Sequence, residues 1–109
     1  MLKLTNQNIA SILTRAKNYI KRHGWIRGEY GFKANGPVCM IGACNAVTTA
    51  FLIQPDSDLS HDTPETKEVR NFLKKEFKIN SVEGWNDDEV KSRKEVFNLI
   101  DRAVAKLTE

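Results

Sequence analysis

The chain predicts an all-α fold, a compact irregular or orthogonal four-helix bundle with ordered loops. Apolar residues recur at three- and four-residue spacings in separate stretches, and helix-starting and helix-stopping residues bracket those stretches. With 109 residues, no proline-rich or low-complexity linker and no convincing internal repeat, the chain reads as a single helical domain, residues 1–109. Folding a chain of this size buries roughly 60–70% of its extended surface. No metal or disulfide is therefore needed to explain a fold, and 40% hydrophobic with 28% charged residues suits a globular protein.

The first helix is expected from about Asn6 to Arg22. Ile9, Ile12, Leu13, Ala16 and Ile20 share one face, Arg15, Lys17, Lys21 and Arg22 fall on polar positions, Thr5 can cap the start and Gly24 can end it. Residues 24–31 carry three glycines without sustained periodicity and read as a loop or compact turn, with short extended pieces as the alternative. Asn35-Gly36 is a turn signal, and Pro37 suits the first turn of a second, largely buried helix from Val38 to about Leu52.

Pro55 and the polar residues through Asp62 read as a connection to a third helix, Pro64 to Glu76. Thr63 is its cap, Pro64 its first position, Glu65 a favourable first-turn acid, and Val69, Phe72, Leu73 and Phe77 its apolar stripe. Residues 78–91 read as an ordered loop pinned by Ile79, Val82 and Trp85, a short strand being the alternative. Ser92 and Glu95 form a capping-box pattern for a last helix reaching about Leu107. Four such helices can bury their stripes against one another.

The formal charge of +3 is unevenly distributed. Residues 1–33 hold seven Lys or Arg and one Glu, whereas residues 61–109 hold ten basic and eleven acidic residues. The N-terminal excess can steer an acidic partner or a phosphate backbone, and it is also an ordinary soluble surface. The two cysteines, Cys39 and Cys44, would point to different faces of one helix, so reduced thiols are expected. No apolar core with a small-residue cleavage pattern opens the chain and no apolar run is long enough to span a bilayer, so a cytoplasmic setting is expected. A secretion system that reads another signal stays open.

Chemistry-bearing residues are few. His23-Gly24-Trp25 can form part of a recognition or reaction pocket; equally, His23 can cap helix-end carbonyls, Gly24 turn left-handed and Trp25 anchor the loop to the core. Cys39, near a helix N-terminus, is a candidate nucleophile with His23 as its base and Asn35, Asn86 or Asp87 orienting that histidine; the competing reading is a small buried packing residue. Gly42 and Ala43, just before Cys44, would admit a close neighbour such as Trp25 or Trp85. His23, Cys39, Cys44 and His61 lack the paired spacing of a zinc site, and the glycines lack the lysine-hydroxyl ending of a phosphate loop. Asp87, Asp88 and Glu89 could serve a divalent metal or acid-base role, or simply face water. No metal and no cofactor is expected.

The ordered set His23-Gly24-Trp25, Gly36-Pro37-Val38-Cys39, Gly42-Ala43, Ala46 and Trp85-Asn86-Asp87 resembles a family of small uncharacterised proteins found in bacteria and their phages. The resemblance implies a shared compact domain and groups Trp25, Cys39, Gly42, Trp85, Asn86 and Asp87. It transfers no reaction. A phage or mobile-element setting, itself only implied, would suit interaction with a bacterial or nucleic-acid-processing protein.

Together these features predict a small binding or regulatory protein acting on a macromolecular partner, expected to be a protein, through Trp25, Arg27, Tyr30, Lys33, Trp85 and Asn86. One alternative is a thiol enzyme using Cys39 and His23, with Asp87 as a further catalytic candidate. Another is nucleic-acid binding by the basic N-terminal face, through Arg15, Lys17, Lys21, Arg22, Arg27 and Lys33.

Overall fold

The computed structural model describes residues 4–25, 39–48, 63–79 and 93–108. They form four helices: α1 (Asn6–His23), α2 (Met40–Thr48), α3 (Pro64–Phe77) and α4 (Arg93–Leu107), with no strand among the described residues. The predicted four-helix, all-α class is the observed one. The radius of gyration, 12.6 Å, matches the roughly 13 Å of a compact chain of this length.

The start and stop of α1 follow from side chains. Thr5 Oγ1 accepts the Asn8 backbone N–H at 3.1 Å, and Asn8 Oδ1 accepts the Thr5 N–H at 3.4 Å and its hydroxyl at 2.8 Å, a reciprocal cap with Asn where Glu or Gln is usual. At the other end Gly24 donates its N–H to the Ile20 carbonyl at 2.8 Å and then leaves at φ 100°, ψ 166°. That region is open essentially to glycine alone, and it is distinct from the left-handed helical conformation expected at this position. Lys21, Arg22 and His23 occupy the last turn, where cations offset the negative end of the helix dipole.

Helix α1 is the hub. It packs most extensively on α2 and next on α4, while α2 also meets α3. Leu13, Ala16 and Ile20 are fully buried against Met40, Ala43 and Cys44, Val69 and Leu73, and Val96, Ile100 and Ala103. Residues 40–46 are buried on every side, as a short helix with little polar surface requires. Gly42 is among them, a buried position without a side chain.

Helix α2 begins at Met40 rather than around Pro37-Val38. Cys39 sits where a cap belongs: its carbonyl accepts from Ala43 N–H at 2.9 Å and its Sγ from Gly42 N–H at 3.3 Å. Both cysteines are buried free thiols, in line with the expected reduced state.

The junction of α2 with α3 is polar and closed. Thr63 caps α3, its Oγ1 accepting from Thr66 N–H at 3.1 Å, with Pro64 in the first turn. The same hydroxyl lies 2.6 Å from Thr48 Oγ1 and 3.0 Å from Thr66 Oγ1, and Thr63 N–H donates to Asn45 Oδ1 at 3.3 Å. Buried Asn45, Thr63 and Thr66 are thus joined across two helices. Helix α3 ends on Lys78 in the left-handed region (φ 55°, ψ 40°), with Ile79 N–H returning to the Lys74 carbonyl at 3.1 Å and Ile79 packed on the core. Helix α4 runs from Arg93 to the expected end at Leu107; Ser92, its expected cap, lies outside the described residues.

Candidate functional site

The chemistry-bearing residues of α1 fall on two flanks of its buried stripe. Lys17 and Lys21, one turn apart, face α4: both ammonium groups lie over the Phe97 ring, at 5.7 and 5.8 Å from its centre, and Lys17 Nζ is 2.6 Å from Asp101 Oδ1. On this flank Lys17 has an ion-pair partner, and Lys21 keeps its charge against the Phe97 ring. Arg15 and Arg22, two turns apart, lie on the other flank, beside the C-terminal end of α2. The four basic residues therefore do not converge on one surface.

On the second flank, Arg15, Asn18, Tyr19, Arg22 and His23 line a cleft of about 360 Å³ with Val47 of α2. Arg15 Nη2 donates to the Val47 carbonyl at 3.1 Å, which ties the guanidinium to the end of α2 and leaves most of its five N–H groups uncommitted. Arg22 is exposed, and neither it nor Arg15 or His23 is within ion-pair distance of a carboxylate among the described residues. The Tyr19 and His23 rings meet at 4.4 Å between centres and 49° between planes. Burial raises the Tyr19 pKa above the ordinary 10.0. Its hydroxyl is the one buried side-chain polar atom without a hydrogen-bond partner among the described residues.

A second cleft, about 450 Å³, continues toward the start of α1 and shares Arg15 and Val47 with the first. Leu4, Ile12 and Val47 supply apolar wall, Asn8 and Ser11 polar edge, and Glu65 of α3 a carboxylate. The two clefts make one groove along α1, cationic near His23 and mixed apolar near Leu4.

Of the residues singled out from sequence, the structure joins His23, Arg15 and Arg22 in this groove and leaves Lys17 and Lys21 elsewhere. Cys39 is 3% exposed, its sulfur holds the Gly42 N–H, and it does not line the cleft that contains His23. Trp25 is half-buried and packs against the core. Arg27, Tyr30, Lys33, Trp85, Asn86 and Asp87 lie outside the described residues, as do Asn35 and His61. Asn18, Tyr19 and Val47 complete the lining of the cleft. The positions of Arg15, Asn18, Tyr19, Arg22 and His23 at helical spacing on one face are a signal that was present in the sequence.

Fold and groove define a small all-α protein built around a central helix with one grooved flank. The chain belongs to a family of unknown function (DUF6197), whose model matches residues 4–106. No curated protein and no solved structure matches it. Among the described residues, no helix is long and apolar enough to cross a membrane.

Proposed function

We propose that this chain is a small binding protein that docks a segment of a partner protein in the groove along α1. The supporting observation is the pair of adjoining clefts that share Arg15 and Val47 and together follow most of one α1 face. A partner segment laid there would meet apolar wall at one end and hydrogen-bonding cations at the other, the combination that gives both affinity and register in segment recognition. The division of the basic residues favours protein over nucleic acid as the occupant. A phosphate backbone is read by a continuous basic stripe, whereas here Lys17 is paired with Asp101 and Glu65 stands on the groove wall.

The test is selection of random short displayed peptides on the protein, followed by rebinding to Ser11→Trp. Ser11 is exposed on the apolar cleft, so an indole there fills the cleft without disturbing the core. Recovered peptides should bind the unsubstituted chain and lose binding to the variant. Peptides that bind both equally, or tighter binding of an oligodeoxythymidylate that weakens steeply with salt, would overturn the reading.

A further inference from the structure

The cationic end of the groove carries a more specific assignment, which rests on the docking reading above: we infer that the Arg15–Arg22–His23 cleft is a carboxylate receptor, taking an acidic side chain from a partner segment whose apolar neighbour sits against Ile12 and Val47. Arg15, Arg22, His23 and the Asn18 amide line this cleft, and no carboxylate among the described residues lines it. Elsewhere among the described residues Lys17 is paired with Asp101 and Lys106 with Glu76, and Arg102 lies over the Phe77 ring at 5.3 Å. Neither Arg15 nor Arg22 is within ion-pair distance of a carboxylate among the described residues, and a carboxylate bound in the cleft can accept charge-assisted hydrogen bonds from guanidinium N–H groups.

Arg15 is also held in place. Its bond to the Val47 carbonyl restricts a side chain that would otherwise lose considerable rotamer freedom on binding. A planar guanidinium fixed by one N–H presents the others as a fork, the geometry that matches the two oxygens of a carboxylate. Phosphate offers a similar fork. The adjoining wall separates the two ligands: Glu65 repels a ligand that carries charge along its whole length, while Leu4, Ile12 and Val47 accept an apolar neighbour. One charge at one end and apolar surface at the other describes an acidic-apolar peptide segment and not a polynucleotide.

Glutarate, a small dicarboxylate, is the probe, followed by NMR of the arginine Nε–H groups, with inorganic phosphate and oligodeoxythymidylate as comparison arms. Glutarate should shift the Arg15 and Arg22 signals and leave those of Arg93 and Arg102 unmoved. Arg22→Gln, at an exposed position that leaves the core intact, should weaken glutarate binding by about tenfold or more, the loss of a charge-assisted hydrogen-bonding group. Arg22→Lys should recover only part of it, since the fork is lost. Absence of shifts at Arg15 and Arg22, equal affinity of Arg22→Gln, or tighter binding of the oligonucleotide than of glutarate would overturn the assignment. Displayed peptides that lose binding to Ser11→Trp yet bind Arg22→Gln undiminished would refute the carboxylate receptor while leaving the docking reading standing. Glutarate binding with no peptide recovered would do the reverse.

Discussion

Replacing Thr63 by Ala removes one hydroxyl from the junction of α2 and α3, and the expected cost can be assembled from its bonds. Thr63 Oγ1 accepts the Thr66 N–H, and loss of such a helix cap costs about 1 kcal/mol, within roughly 0.5–2. The Thr63 hydroxyl has one hydrogen to donate, so its contacts with Thr48 Oγ1 at 2.6 Å and Thr66 Oγ1 at 3.0 Å together contribute about 1 kcal/mol. Thr48 keeps its bond to the Cys44 carbonyl, so one of these losses is partly absorbed. A destabilisation of about 2 kcal/mol is expected, summing the cap and the side-chain bonds. Thr63→Ser, which keeps the oxygen and loses only a methyl group, should cost about 1 kcal/mol or less. Urea unfolding measures both, and the slope against denaturant should stay unchanged while the midpoint falls. If Thr63→Ala lies within about 0.5 kcal/mol of the original chain, the ordinary range of a surface substitution, or if the Ser variant is as unstable as the Ala variant, the polar junction is not what joins these helices.

Three further outcomes follow from single positions. Lys78→Gly should stabilise by roughly 0.5–1 kcal/mol in thermal unfolding, because glycine escapes the left-handed penalty at φ 55° and gives part of the gain back as chain entropy. Leu13→Ala empties a fully buried position and should cost about 2–5 kcal/mol in urea unfolding. Tyr19→Phe should leave stability unchanged or raise it by up to about 1 kcal/mol, since it removes a buried hydroxyl that has no partner among the described residues. In the unsubstituted chain, ultraviolet titration should place Tyr19 ionisation above 10.0. Because the folded pKa is the higher one, the neutral phenol's contribution to stability is complete below pH 10.0 and declines as pH rises from there through the folded value.

The helices were legible because their signals are local. Thr5, Gly24, Thr63 and Pro64 mark ends that the structure reproduces within about a residue, and the stripe from Ile9 to Ile20 is the buried face of α1. The start of α2 was displaced because a cysteine rarely serves as a cap and Pro37 offered a plausible first turn. Lys78 was hidden for a related reason, since the left-handed cap usually announces itself as glycine. The groove was only half legible. Residues Arg15, Asn18, Tyr19, Arg22 and His23 share a helical face that spacing alone defines, but Val47, Thr48 and Glu65 reach it from other elements, and periodicity says nothing about which helix end meets which face. Charge counting likewise grouped Lys17 with Arg22, and only the packing of α4 shows that Lys17 is committed to Asp101.

The most direct test of the groove as the working surface is NMR shift mapping of a peptide selected on the folded chain. The expected result is a continuous set of changes at the Ile12 and Val47 methyl groups and the Arg15 and Arg22 side chains, with the Lys17, Lys21 and Phe97 flank unchanged. Changes centred on that opposite flank, with the groove silent, would contradict it.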